Sequence, residues 1–264
     1  MALAAIPFGL GIGLSLGMFG GGGSVLAVPV LVYVLGQTVH QATTASLVVV
    51  TAGAVIGGLS HARDGRVCWR HAAAFIAAAL PGVIAGTTLG QAVSGCALIT
   101  AFAVIMLAAA AATWHKATRD AISPRTQVSR TSCPALRLAR VLTAGLLVGA
   151  TTGFFGVGRG FLIVPTLAVA LAFSMRTAVG TSLVIITATS LMALSAHLAA
   201  GRTLDVDVTI AMTVSAIAGA LAGVRLAERV PQRQLGQGFA ALVVVVAAYL
   251  IISAALLGGP PGTS

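Results

Sequence analysis

A glycine-rich stretch, Gly20 to Gly23 in MFGGGGSVLAVP, returns 136 residues later in weaker form as GFFGVGRGFLIVP. Phe19 and Gly20 correspond to Phe155 and Gly156, Gly22 to Gly158, and Val28-Pro29 to Val164-Pro165. The match extends well beyond the glycines. Gly13 and Gly17 recur as Gly149 and Gly153, Ser46-Leu47 as Ser182-Leu183, His61 as His197, and Gly65-Arg66 as Gly201-Arg202. After a shift of one residue, Gly82 and Gly86 match Gly219 and Gly223. A duplication of this extent requires both halves to fold into the same unit.

Each half carries five apolar runs. They lie at about 3–18, 24–36, 42–61, 71–90 and 94–114, and again at about 141–155, 160–173, 178–200, 206–227 and 233–257. The last three of each half are about 20 residues long, enough at 1.5 Å per residue to cross a hydrocarbon core of about 30 Å. With 8% charged residues, against about 25% in soluble domains, this reads as an integral, all-α polytopic membrane protein. Residues 1–114 form the N-terminal repeat, 115–140 a basic linker, 141–257 the C-terminal repeat, and 258–264 a frayed tail. No Lys or Arg precedes the first apolar run, so a cleaved signal peptide is not expected.

Glycine costs a helix about 1 kcal/mol relative to alanine, so the glycine stretches are expected to break the helix. The first two short runs of each half then form either a hairpin or one broken crossing helix. Charge discriminates between these. The 61–71 loop and the central linker lie two spans apart and share a side, where they carry nine Lys and Arg. In the hairpin arrangement Arg176, Arg225, Arg229 and Arg233 join them, making thirteen, with only Arg202 opposite. A single crossing would split the charges ten to four. The positive-inside rule favours the hairpin, with linker inside and both termini outside. Each half then starts and ends on opposite sides, which makes the two halves inverted repeats, an architecture of secondary transporters.

Non-helical backbone at membrane depth survives only where protein covers it or water reaches it, so the breaks are candidate binding sites. Glycines that merely let helices approach closely are the plainer alternative. Gly20, Gly21, Gly22 and Gly23 in the first copy and Gly156, Gly158 and Gly160 in the second are the candidate substrate-binding glycines. Arg159 stands where the first copy has Gly23. A guanidinium at that depth should face a cavity or a counter-ion and would hold an anion through its fork of donors, although snorkelling or carbonyl capping is also open to it. Thr44 and Ser46, and Thr181 and Ser182, are expected in the first turn of the third element of each half, where backbone N–H groups favour an anion and where the same residues could simply cap. His61 and His197 occupy equivalent helix ends and are candidates for gating or proton-linked roles, or ordinary C-terminal residues. A branched side chain at Gly22 or Gly158 is expected to obstruct the path more than alanine at Gly13.

No carboxylate pair, metal-ligand spacing or P-loop is present among the five acidic residues and their surroundings, so neither an enzyme, a metal site nor a cofactor is expected. The basic residues interrupt apolar runs and do not line a polar surface, so no nucleic-acid partner is expected. Cys68, Cys96 and Cys133 are widely separated and suggest neither a disulfide framework nor a metal site.

The GGGG-x4-VP stretch at Gly20 to Pro29, the TASL and GTSL segments ending at Leu47 and Leu183, and the tandem halves resemble the sulfite exporter TauE/SafE family over residues 5 to 257 or so. The resemblance implies movement of sulfite, a sulfonate such as sulfoacetate, or thiosulfate across the bacterial cytoplasmic membrane; the lipid bilayer is the expected partner, and the coupling ion, proton or sodium, stays open. A homodimer is compatible with it. Val157 and Arg159 among the second glycines depart from the all-glycine pattern and leave the anion open. The expected function is alternating-access transport of a small sulfur-containing anion. The rivals are a transporter of another small anion or a metal cation, and a non-transporting assembly or chaperone subunit.

Overall fold

The computed structural model describes residues 2–90, 95–122, 133–155, 160–199 and 205–257, and their regular structure is all helical. Gly156, Gly158 and Arg159, most of the linker, the Gly201-Arg202 pair and the tail lie outside the described residues.

Helix α1 (Ala2–Phe19) stops at Gly20, whose φ of +73° is open to glycine and strained for other residues. The next helix, α2 (Gly22–Pro29), folds back on α1: a Cβ on Gly23 would overlap the Ile12 carbonyl and stand 2.9 Å from Leu16 Cγ. In an unbroken helix residues 16 and 23 would be about 10 Å apart, so the glycine turn makes a hairpin. The returning arm continues from Pro29 into a π-helical turn, Val30–Val34, closed by Leu35 N–H to Val30 O at 3.2 Å. Proline has no N–H to donate and crowds the preceding turn; a widened turn beyond it accommodates both effects.

Helix α3 (Val39–Arg63) begins at a Thr38 cap, whose Oγ1 accepts Gln41 N–H at 3.4 Å. It ends where Gly65, φ +67°, lets Gly65 N–H reach Ala62 O and Arg66 N–H reach His61 O, the pairing that satisfies the last carbonyls. Next come α4 (Trp69–Gly90) and α5 (Gly95–Ile122), then, beyond the linker, α6 (Leu138–Phe155). A short α7 (Ile163–Pro165) again runs into a π-turn, Thr166–Ala170, closed by Leu171 N–H to Thr166 O at 3.2 Å. Then α8 (Met175–Ala199), α9 (Val206–Arg229), whose Asp205 cap accepts Val208 N–H, and α10 (Gln232–Leu257) complete the chain. Helix α5 runs on past Trp114 to Ile122, so the polar linker is shorter than its composition suggests.

Among the described residues five helices are long and apolar enough to cross a membrane: α3, α4, α5, α8 and α9. Ile84, Leu147 and Val245 are each about two-thirds exposed, an apolar exterior suited to lipid and not to water.

Helices α1 and α9 run parallel, with Gly9, Gly13 and Gly17 against Met212, Ala216 and Ala220, and Gly219 and Gly223 against Leu10 and Leu14. Helices α6 and α4 repeat the arrangement: Gly145, Gly149 and Gly153 meet Phe75, Ala79 and Val83, and Gly82 and Gly86 meet Leu146 and Ala150. Small residues permit this backbone approach, which drives helix association in lipid. Gly13 is thus a packing residue: a Cβ there would overlap Ala216 O. Helices α3 and α8 run antiparallel, since Thr44 near the start of α3 meets His197 near the end of α8, and Gly180 near the start of α8 meets His61 near the end of α3.

Several loops converge at one end of the bundle. Arg66 pairs with Asp64 at 3.4 Å and Glu228 at 3.1 Å. Arg176 donates to Glu228 O at 3.0 Å and Val230 O at 3.2 Å. Cys68 and Cys133 form a disulfide across 65 residues, which corrects the expectation that the cysteines are unpaired. The parallel packing of α4 and α6 brings the starts of both helices together, and with them the two cysteines just before those starts. Spacing alone carries no trace of that.

Candidate functional site

Gly21 of the first glycine stretch meets Gly160 at the end of the second. A Cβ on Gly21 would overlap the Gly160 carbonyl, and one on Gly160 would stand 2.9 Å from Gly21 Cα, 2.7 Å from Ser24 Oγ and 3.0 Å from Ile186 Cδ1. Only glycine on both sides permits this contact. Ser24, which the sequence reading missed, donates from Oγ to Gly21 O at 2.7 Å and so holds the first turn. Its signal was its place directly after the glycine run.

Gly20 faces α8, with Ser182 Oγ 2.5 Å and Val164 Cγ2 3.1 Å from a Cβ built on it. Ser182 is fully buried and donates to Val179 O at 2.8 Å. Gly20, Gly21, Gly160 and Ser182 therefore form one cluster, with Ser24 at its edge. Gly22 and Gly23 stand apart from it. Gly22 faces Leu242 and Phe239 of α10, and Gly23 packs on α1. Gly156, Gly158 and Arg159 lie outside the described residues.

The hydroxyl residues are not in first turns. Helix α3 begins at Val39 and α8 at Met175, so Thr44, Ser46, Thr181 and Ser182 all stand beyond the first turn, where backbone N–H groups are already bonded within the helix. The caps come earlier than the apolar runs, and this is why the composition misled. Each hydroxyl has its own task. Ser46 donates to Thr43 O at 2.8 Å, Thr181 Oγ1 accepts Cys68 N–H at 3.1 Å, and Thr44 Oγ1 lies 3.1 Å from His197 Nδ1.

The histidines occupy the two ends of the α3–α8 contact. His197 is half-buried against Thr44. His61 is 1% exposed, and both ring nitrogens lack a hydrogen-bond partner among the described residues, the Gly17 backbone approaching without the alignment of a bond. Gly180 occupies the place that Thr44 holds in the other half, so no hydroxyl reaches His61. A buried polar group without a partner costs roughly 1 to 3 kcal/mol, a cost borne beside the glycine turns, since Gly17 and Gly20 precede the crossing directly.

A family model for the sulfite exporter TauE/SafE matches residues 5–250. Two proteins of Xylella fastidiosa, from strains 9a5c and Temecula1, are 36% and 35% identical over 246 residues, 91% of each chain. A protein of Methanocaldococcus jannaschii is 22% identical over 261 residues, 94% of each chain. All three bear the name probable membrane transporter protein. No solved structure matches the chain. A bundle of membrane-length helices with paired glycine turns, matched over nearly its whole length, belongs to the TauE/SafE sulfite exporter family of membrane transporters.

Proposed function

We propose that the chain is a secondary transporter that moves a small sulfur oxyanion or sulfonate across the cytoplasmic membrane through the crossing of its two glycine turns. The contact between Gly21 and Gly160 carries this reading. It joins the first glycine stretch to the last glycine of the second, beside the buried Ser182 hydroxyl and His61, which has no hydrogen-bond partner among the described residues. Arg159 precedes Gly160 directly in the chain and supplies the charge an anion needs; its fork of donors suits an oxygen-rich group.

The reading that the halves are inverted repeats is supported by packing. Equivalent helices α3 and α8 run antiparallel, and the α1–α9 contacts return at the same offset as the α6–α4 contacts. In this conformation the turns touch, so an anion passes only when they separate. Rocking of one half on the other about the α3–α8 contact would separate them, as in other inverted-repeat carriers.

The test is flux in proteoliposomes for sulfite, sulfoacetate and thiosulfate, with and without proton and sodium gradients. At least one anion should move. Arg159→Ala should lose most of that flux and Arg159→Lys should restore part of it, since an ammonium lacks the planar fork. Absence of flux for every sulfur anion at normal expression favours a different cargo or a non-transporting role.

A further inference from the structure

We propose that a cavity at the linker end of the bundle, separate from the glycine crossing, binds a tetrahedral oxyanion of the phosphate type, presented by an anionic lipid headgroup or as the free ion. The cavity measures about 290 Å³ and lies between the starts of α4 and α6 and the end of the second hairpin arm. His71, Arg137 and Arg140 contribute its polar wall, and residues 134–135, Val141 and residues 170–172 the remainder. No carboxylate lines it among the described residues.

Three independent features give it anion chemistry. His71 is 4% exposed, packs edge-on against Phe173 at 5.1 Å, and makes no hydrogen bond among the described residues, so its donor is unspent where it meets the cavity. The N-terminal ends of α4 and α6, 22 and 18 residues long, both open onto it, and helix starts favour negative charge. The opposite wall is the end of an arm whose carbonyl oxygens would repel an anion, but Lys116 donates its Nζ to Ala168 O and Phe173 O and neutralises that end. The approach of Cys68 and Cys133, whose Cα atoms lie 5.7 Å apart, sets the segment that carries Arg137 beside α4.

The size and setting fit a headgroup. The volume is at the low end of ligand pockets, about 300 Å³ and upward, enough for a phosphate with its ester substituents. Trp69 and Leu138, 61% and 53% exposed, stand at the same helix starts, where an interfacial Trp and an acyl chain would lie. Basic pockets between spanning helices near the cytoplasmic surface are suited to anionic headgroups.

The experiment measures melting temperature of the detergent-solubilised protein with added phosphatidylglycerol, phosphatidylcholine or inorganic phosphate, with native mass spectrometry of the lipid adduct in parallel. A ligand that binds only the folded state raises its stability. Phosphatidylglycerol should raise the melting temperature and leave one retained lipid, while phosphatidylcholine does neither. If the free ion is the ligand, inorganic phosphate alone reproduces the rise. The Arg137→Ala/Arg140→Ala variant should keep the wild-type melting temperature in phosphatidylcholine, which shows that it folds, and bind the anion at least about tenfold more weakly. Arg137→Lys/Arg140→Lys should recover part of the effect. Equal response to both lipids with none to phosphate, or a selective response that survives the double alanine change, overturns the proposal. Sulfur-anion flux read on the same variants separates this site from the transport reading, which the cavity does not need.

Discussion

Thr44 Oγ1 lies 3.1 Å from His197 Nδ1 at one end of the α3–α8 contact, and at the other end the equivalent pair, Gly180 and His61, lacks the hydroxyl. The duplication therefore preserves the contact and varies its chemistry, leaving one histidine bonded and the other buried without a hydrogen-bond partner among the described residues. Replacing Thr44 by Val keeps the shape and removes the hydroxyl partner of His197. The expected loss is about 0.6 kcal/mol, typical of a hydrogen bond between membrane helices, read by thermal unfolding in detergent, while Thr44→Ser should retain most of it. If His61 contacts the cargo or its coupled proton, His61→Gln should depress flux more than His197→Gln, although only His197 loses a visible bond.

The crossing of the glycine turns should be intolerant of a single methyl group. Gly21→Ala places a Cβ on the Gly160 carbonyl and is expected to reduce flux at least tenfold. Gly11→Ala is the control, since nothing lies within 4 Å of a Cβ there. Equal flux from the two variants would remove the turns from the path. Gly22→Val, expected from the sequence to block the path, should act instead through Leu242 and Phe239 of α10, and so lower stability together with flux.

A third outcome concerns the ends of the hairpins. Gly36, φ +64°, and Ala172, φ +57°, occupy equivalent places in the two halves. Left-handed backbone costs a residue with a Cβ roughly 1 kcal/mol, so Ala172→Gly should raise stability by up to about 1 kcal/mol, reduced by the freedom glycine adds to the unfolded chain. Gly36→Ala should lower it, without a clash, because the space around Gly36 is open. Paired melting curves check both signs.

The disulfide also reports sidedness. Disulfides persist in oxidising compartments and are rare in the cytosol. With the linker end inside, as the charge bias indicates, Cys68 and Cys133 should be thiols in growing cells, trapped by a permeant alkylating agent, and pair only after extraction. A disulfide already present in cells would put that end outside and reverse the topology. Labelling of single cysteines from the outer face should agree, reaching positions near Gly201 and missing those near Ser129.

The elements themselves were legible in the chain. Apolar run lengths, the Val-Pro steps and the glycine breaks are local signals, and the runs fall within a few residues of the observed helices except at the end of α5, which continues past its run to Ile122. The 136-residue offset also carried tertiary information, since the glycines that repeat are those at which α1 meets α9 and α6 meets α4. Helix starts were read late because Thr38 caps α3 ahead of its apolar run, which moved Thr44 and Ser46 out of the first turn. The remaining relationships depend on how helices distant in sequence are set against one another. The pairing of Cys68 with Cys133, the bond from Thr44 to His197 and the contact of Gly21 with Gly160 each join residues more than sixty positions apart. No local propensity encodes such pairs; they follow from which small-residue faces let two backbones approach, and that choice is made only when all the helices pack together.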